Sequence, residues 1–384
     1  MRSTNTQTNS RFRGLLWTLH RWIGIVLFVL IAPIAFSGAL LVFHDELDVV
    51  LNSQRYAVSG NATLAPSAYL ASAATALDDT LRPASVRYPE HPGAPVTVQA
   101  RGPRVEGSPP RLLIVYLDPP TARVLEVVDY RSSLFGFLHR FHENLAVPDW
   151  SGQAIVGWVG VGLFVLALSG ILLWWPRNVA FVRGLRWGRR PAVTTNLHFV
   201  IGFWISLPLA FVALTGIYLA FPPQARSLMS SVAPMNPPPA RDFSAPLQKT
   251  AIDPDRAAEI ARDAAPGANL VALFLPTAGR GEGAQPTWRA QFASAAGDLT
   301  TIVINDRSAE ARRQAAPQTG DSAAQWIRWL HEGSNSGPVW RLVVLFTGLA
   351  PPVLGVTGII MWLRGRRNRS IAASTSAGAL QAAE

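Results

Sequence analysis

The chain has 384 residues, 49% of them hydrophobic and only 15% charged, so a membrane protein is the first reading. Its formal charge of +10 is concentrated in residues 1–21, 176–196 and 363–384, which carry four, five and four arginines and almost no acid; this positive-inside pattern excludes a nucleic-acid-binding surface. Cysteine is absent, which excludes disulfides, cysteine-held iron–sulfur clusters, thiol redox chemistry and covalent c-type haem.

Residues 1–21 are basic and are expected in the cytoplasm, and residues 22–43 form an apolar run. A basic start before an apolar run can be a signal peptide. This run is too long for one, lacks an A-x-A site and recurs internally, so it reads as a retained transmembrane helix. At about 1.5 Å per residue, His20 to Phe43 spans roughly 35 Å, enough to cross a hydrocarbon core.

Residues 44–152 form a first soluble segment, expected in the periplasm. Within it the pattern predicts a helix over Ala65–Leu81 and strands over Val96–Ala100, Arg111–Leu117 and Arg123–Val128, with Asp118-Pro119-Pro120-Thr121 as a turn. Leu138-His139-Arg140-Phe141-His142-Glu143 then leads through a loop at Pro148 to a second span, 153–175, which ends in Trp174-Trp175-Pro176-Arg177. Residues 176–197 read as a cytoplasmic loop and 198–221 as a third span. The second soluble segment, 222–341, begins with a tether containing Asn236-Pro237-Pro238-Pro239. A helix over Pro254–Ala265 follows, then strands near Leu270–Leu275, Thr287–Phe292 and Leu299–Asn305. Trp329-Leu330-His331-Glu332 precedes the fourth span, 342–363, and residues 364–384 form a cytoplasmic tail.

The fold expected is an α-helical integral membrane protein with four transmembrane helices in two tandem repeats, each a span, a periplasmic α+β domain and a span. Leu19-His20-Arg21-Trp22-Ile23-Gly24 matches Leu197-His198-Phe199-Val200-Ile201-Gly202, and His20 to Gly38 equals His198 to Gly216 at 18 residues. Ser169-Gly170-Ile171 likewise matches Thr357-Gly358-Ile359, which brings His142-Glu143 into register with His331-Glu332. Both halves start on the same side, so the repeat is parallel, with its pseudo-two-fold axis along the membrane normal.

Four of the seven histidines are therefore paired by position: His20 with His198, and His142 with His331. Polar residues in membrane segments are costly and tend to be functional. Two imidazoles facing each other across such an axis can supply both axial ligands of a haem, and two pairs on opposite faces would hold two haems. Zinc or copper would find only an incomplete site in a pair of imidazoles without thiolates. His139, three residues before His142, is an alternative outer ligand or a propionate partner, so the choice between them stays open. His44 has no counterpart but remains a candidate ligand, and His91 reads as solvated.

Glu143 and Glu332 either orient the imidazoles or are surface carboxylates. Gly24, Gly38, Gly170, Gly202, Gly216 and Gly358 fit close helix approach or room for a flat macrocycle. Arg21 reads as a positive-inside arginine or a propionate partner. Gly160-Val161-Gly162 lies inside a span and Gly279-Arg280-Gly281-Glu282-Gly283 in a loop, so neither is a dinucleotide site. The cytoplasmic loop is too short for a flavin or nicotinamide domain, so electrons are expected from a quinol or a separate cytoplasmic reductase.

These histidine motifs resemble those of the PepSY-associated transmembrane helix family of bacterial inner-membrane proteins. The soluble segments resemble PepSY domains, notably at Val115-Tyr116-Leu117-Asp118-Pro119-Pro120-Thr121-Ala122-Arg123-Val124-Leu125, where Ala122 replaces a common glycine. The second copy of that hairpin is read at Ala295-Ala296-Gly297-Asp298-Leu299. The resemblance covers nearly the whole chain and implies an iron-regulated inner-membrane protein. For some members it implies a ferric-siderophore reductase with two haem b groups, here on His20, His198, His142 and His331, acting in the periplasm. Two other readings are a non-enzymatic membrane anchor for a periplasmic partner, which leaves the paired histidines unexplained, and an iron-chelate permease, for which the spans carry few polar residues.

Overall fold

A computed structural model describes residues 3–103, 111–147, 150–175, 192–238, 245–277, 285–295 and 297–381. The loop at Pro148, most of the arginine-rich loop (176–191), Pro239 of the tether and the glycine run at 279–283 lie outside the described residues.

The elements in chain order are α1 (Ser3–Leu41), α2 (His44–Leu51), α3 (Pro66–Thr75), β1 (Arg82–Arg87), β2 (Val96–Arg101), β3 (Leu112–Leu117) and β4 (Val124–Asp129). There follow α4 (Leu134–Asn144), α5 (Trp150–Trp174), α6 (Val193–Ala220), α7 (Pro222–Val232), α8 (Pro254–Asp263), β5 (Asn269–Phe274), β6 (Thr287–Ala293), β7 (Leu299–Asn305), β8 (Ala311–Arg313), α9 (Thr319–Glu332) and α10 (Gly337–Gln381). They fall into two units: residues 1–43, 138–234 and 319–384, and residues 44–137 and 235–318.

The first unit is helical. Arg11–Leu41, Ser151–Trp174, Val193–Ala220 and Gly337–Ser370 are long and apolar enough to cross a membrane. A helix satisfies its backbone polar groups within one segment, which is why such runs span lipid as helices. Packing runs α1 to α5, α5 to α6, α6 to α10 and α10 back to α1. The helices thus form a closed square in which α1 and α6 are diagonal partners. Interior glycines set the close contacts; Gly348, for example, lies against the Ala35 carbonyl and Ala39 of α1. Both terminal helices extend past the expected span limits, α1 back to Ser3 and α10 on to Gln381 through the segment read as a tail.

The second unit is one eight-stranded sheet in the order β4-β3-β2-β1-β5-β6-β7-β8. Each group of four is an antiparallel meander, and the two join first strand to first strand, Val86 opposite Leu273. On β2, Val96, Val98 and Ala100 are buried while Thr97, Gln99 and Arg101 alternate with them. That buried face packs on α3 through Tyr69, Leu70 and Ala73, and on α8 through Ala257, Ala258 and Ala261. Asp255 at the start of α8 accepts from the Ser67 N–H at 2.8 Å and from its hydroxyl at 2.5 Å, which ties the two helices together.

Two local readings of the sequence, a helix end and a hairpin, are corrected here. The helix expected to reach Leu81 stops at Thr75, because the Asp78 side chain accepts from the Thr80 N–H and hydroxyl and turns the chain into β1. The segments expected as two separate domains contribute strands to a single sheet. The counterpart of the Asp118–Arg123 hairpin is Asn305–Glu310, not Ala295–Leu299, which connects β6 to β7. In both hairpins the first residue's N–H donates to the last carbonyl, Asp118 to Arg123 and Asn305 to Glu310, each at 2.9 Å. In both, an alanine near the end takes a left-handed backbone, Ala122 at φ 54° and Ala309 at φ 58°.

Candidate functional site

The helical unit brings the histidines together in two pairs, one at each end of the bundle. His20 on α1 and His198 on α6 face each other across the diagonal, with ring centroids 6.4 Å apart and planes at 86°. At the other end His142 on α4 and His331 on α9 have centroids 6.2 Å apart and planes at 42°. Among the described residues no third His, Cys, Asp or Glu converges with either pair.

Each imidazole is held by the same small device on a neighbouring span. His142 Nδ1 lies 2.8 Å from the Ile34 carbonyl and 3.4 Å from Ser37 Oγ. His331 Nδ1 lies 3.0 Å from the Val212 carbonyl and 3.1 Å from Thr215 Oγ1. His198 Nδ1 lies 3.0 Å from both the Leu354 carbonyl and Thr357 Oγ1. His20 Nδ1 lies 2.8 Å from Ser169 Oγ, with the Leu166 carbonyl as its backbone partner. A carbonyl can only accept. In every case, moreover, the hydroxyl is within donating distance of that carbonyl three residues earlier, and Thr215 and Thr357 also reach the carbonyl four residues earlier, so its proton goes to a backbone oxygen. Nδ1 must therefore carry the proton. In the neutral ring Nε2 then keeps its lone pair, the form in which imidazole ligates a metal.

The residue after each hydroxyl is glycine, and its contacts explain why. A Cβ on Gly38 would stand 2.6 Å from His142 Cε1, and one on Gly216 would stand 2.9 Å from His331 Cε1. Gly170 and Gly358 face His20 and His198 at looser distances of 3.5 and 3.4 Å. Around His20 and His198 lies a cavity of about 420 Å³, lined also by Gly170, Gly358, Arg21 and Trp362 among others. The Arg21 guanidinium stacks 4.2 Å from the Trp17 ring, and its buried Nε has no hydrogen-bond partner among the described residues.

A family model described as the PepSY-associated TM region matches residues 17–365. The chain belongs to that family. The match takes in both imidazole pairs and the whole eight-stranded sheet of this PepSY-associated TM protein. A comparison with curated proteins gives no match.

Several residues singled out in the PepSY-associated TM sequence lie elsewhere. His44 begins α2 in the sheet unit, with Nε2 at 3.1 Å from Asp45, and joins neither pair. His139 sits one turn before His142 on α4, and the ring facing His331 is that of His142. His91 is an exposed loop residue. Glu143 and Glu332 are exposed, the latter paired with Arg328 at 3.1 Å, and the orienting role falls to Ser37, Ser169, Thr215 and Thr357. Their sequence signal was the Ser-Gly or Thr-Gly dipeptide, which occurs in all four spans.

Proposed function

We propose that this protein carries electrons across the bacterial inner membrane through two b-type haems and reduces the ferric iron of a siderophore in the periplasm. The observation that carries the reading is a spacing. A metal–imidazole bond is about 2.0 Å long and a ring nitrogen lies about 1.1 Å from its centroid, so one iron between two imidazoles sets the centroids about 6.2 Å apart. The two pairs stand at 6.4 and 6.2 Å. The chemistry of the donors also fits: with its proton on Nδ1, each of the four imidazoles in its neutral form would have Nε2 available to a metal.

When bound, haem supplies reversible one-electron chemistry whose potential follows its ligands, their hydrogen bonds and its burial. His20 and His198 would hold one group and His142 and His331 the other. The hydroxyl and carbonyl partners fix each ring and raise its basicity. Glycines leave room for a flat group beside the rings, and Arg21 offers an unpaired donor to a carboxylate at the first pair. Without cysteine, attachment is non-covalent.

The arginine-rich segments support a cytoplasmic position for the His20 end, where a quinol or a separate reductase would deliver electrons. The sheet unit, as paired PepSY-like domains, would meet the chelate in the periplasm. One electron converts ferric to ferrous iron, which hard oxygen ligands hold far less tightly, so the metal leaves an intact chelator. The repeat reading draws support from the fourfold hydroxyl–glycine device and from two meanders joined at their first strands.

An optical spectrum of detergent-purified protein tests this. A reduced-minus-oxidised spectrum with b-type bands and two haems per chain is expected, with one haem lost in variants of His20 or His198 and the other in variants of His142 or His331. Protein that stays colourless when haem is supplied would end the proposal.

A further inference from the structure

The cavity around His20 and His198 is cationic at one end and apolar at the other. Its charged lining residues, the imidazoles apart, are Arg21 on α1 and the exposed Arg369 on α10. The spans that build it cannot supply a counter-charge. Residues 1–44, 150–241 and 333–383, which include all four spans, contain no Asp or Glu. The Arg21 guanidinium is held by two indoles, 4.2 Å from the Trp17 ring and 5.4 Å from the Trp22 ring. Stacking fixes its plane and leaves its forked donors for oxygen acceptors, and its buried Nε is unmet among the described residues.

The two arginines converge from opposite directions. Helices α1 and α10 run antiparallel, with Trp22 beside Trp362 and Ala39 beside Gly348. Helical side chains lean toward their own N-terminus. Arg21 therefore leans away from the imidazoles onto Trp17, and Arg369 leans back toward Trp362. Gly358, Trp362, Gly365 and Arg369 follow at intervals of four, three and four residues, which is one face of α10. Beyond the imidazoles, toward the other pair, the wall is Ile25, Phe28, Ile31, Leu209 and Leu354. A ligand that spans the imidazoles meets cations at one edge and apolar groups at the other. A b-type haem has that pattern, with two carboxylates on one edge of an apolar ring.

We propose that Arg21 and Arg369 bind the carboxylates of the haem held by His20 and His198, turning its apolar edge toward the other imidazole pair. The inference rests on the haem reading and adds the residues that set the direction of the group. The probes are ferric protoporphyrin IX and its dimethyl ester, which has the same iron and ring but no ionised carboxylate. Each is titrated into full-length protein produced under haem depletion, in detergent, with His142→Ala removing the other pair. The acid is expected to bind at least about tenfold more tightly than the ester. Arg21→Gln together with Arg369→Gln should bring the two affinities together by weakening the acid alone, the retained ester showing that the variant is folded. Equal affinity for acid and ester with both arginines present would overturn the assignment. So would an unchanged ratio in the double variant, the result if the arginines serve phospholipid headgroups instead. If the double variant binds neither probe, the single variants decide, and a ratio unchanged in both would overturn it. Failure of the protein with both arginines to bind either probe would refute the haem reading itself, and this inference with it.

Discussion

At Gly38 and Gly216 an added methyl would stand 2.6 and 2.9 Å from an imidazole carbon, closer than carbon atoms pack. The ring cannot slide away without stretching its bond to Ile34 or Val212, so the clash falls on the imidazole pair itself. Gly38→Ala and Gly216→Ala are expected to lower the haem-to-chain ratio by about one, at an overpacking cost of about 1–3 kcal/mol. Gly14→Ala is the control, since a Cβ there meets nothing within 4 Å. Equal haem content in all three variants would refute the close-approach argument. The four Ser/Thr-Gly dipeptides were plain in the sequence, but their use was not. Which span lies against which histidine is a tertiary fact, whereas Glu143 and Glu332 drew notice by being adjacent in the chain. Adjacent residues on a helix point about 100° apart, so those carboxylates face away from what their neighbours touch.

The two matched hairpins give a measurable consequence at the scale of elements. Ala122 and Ala309 hold left-handed backbone, which costs an alanine roughly 1–2 kcal/mol and a glycine almost nothing. Ala122→Gly should raise the unfolding free energy of the sheet unit by about 1 kcal/mol, read as a higher thermal midpoint. An unchanged or lower midpoint would contradict it. Asp118, in the same hairpin, sets a pH dependence. Burial works against its charge, but hydrogen bonds from Thr121 and from the Ser59 N–H and hydroxyl prevail, so its carboxyl is held below the usual range. A carboxyl lowered on folding stabilises the fold above its unfolded value, and that stability is lost as pH falls through the folded one. Asp118→Asn should therefore destabilise the unit at neutral pH and flatten the acid side of its stability profile. A parallel acid limb in both proteins would exclude Asp118 as its source. The strands with an apolar alternation were legible. β1 was not, because Arg82-Pro83-Ala84-Ser85-Val86-Arg87 has a single large aliphatic residue, and neither was β8, three exposed residues with no pattern at all. Losing those two strands is what hid both the single sheet and the true second hairpin.

For the molecule as a whole, the four spans and their order followed from apolar runs, while the diagonal placement of α1 and α6 could come only from packing. That placement is what lets His20 meet His198. His20 and Gly38 are 18 residues apart on α1, so the two imidazole pairs stand at levels about 27 Å apart along the helix. Neither pair alone covers that distance, so conduction on the proposed function needs both. In proteoliposomes with dithionite trapped inside and ferricyanide outside, both impermeant, the unaltered protein is expected to bleach ferricyanide. Ferricyanide is a one-electron acceptor that requires no chelate site, so the result concerns the conduit alone. His20→Ala and His142→Ala should each retain one haem and each slow bleaching to the rate of protein-free vesicles. Transfer that survives in either variant, with its haem confirmed lost and the vesicles confirmed sealed, would show that electrons do not pass through the two pairs in series.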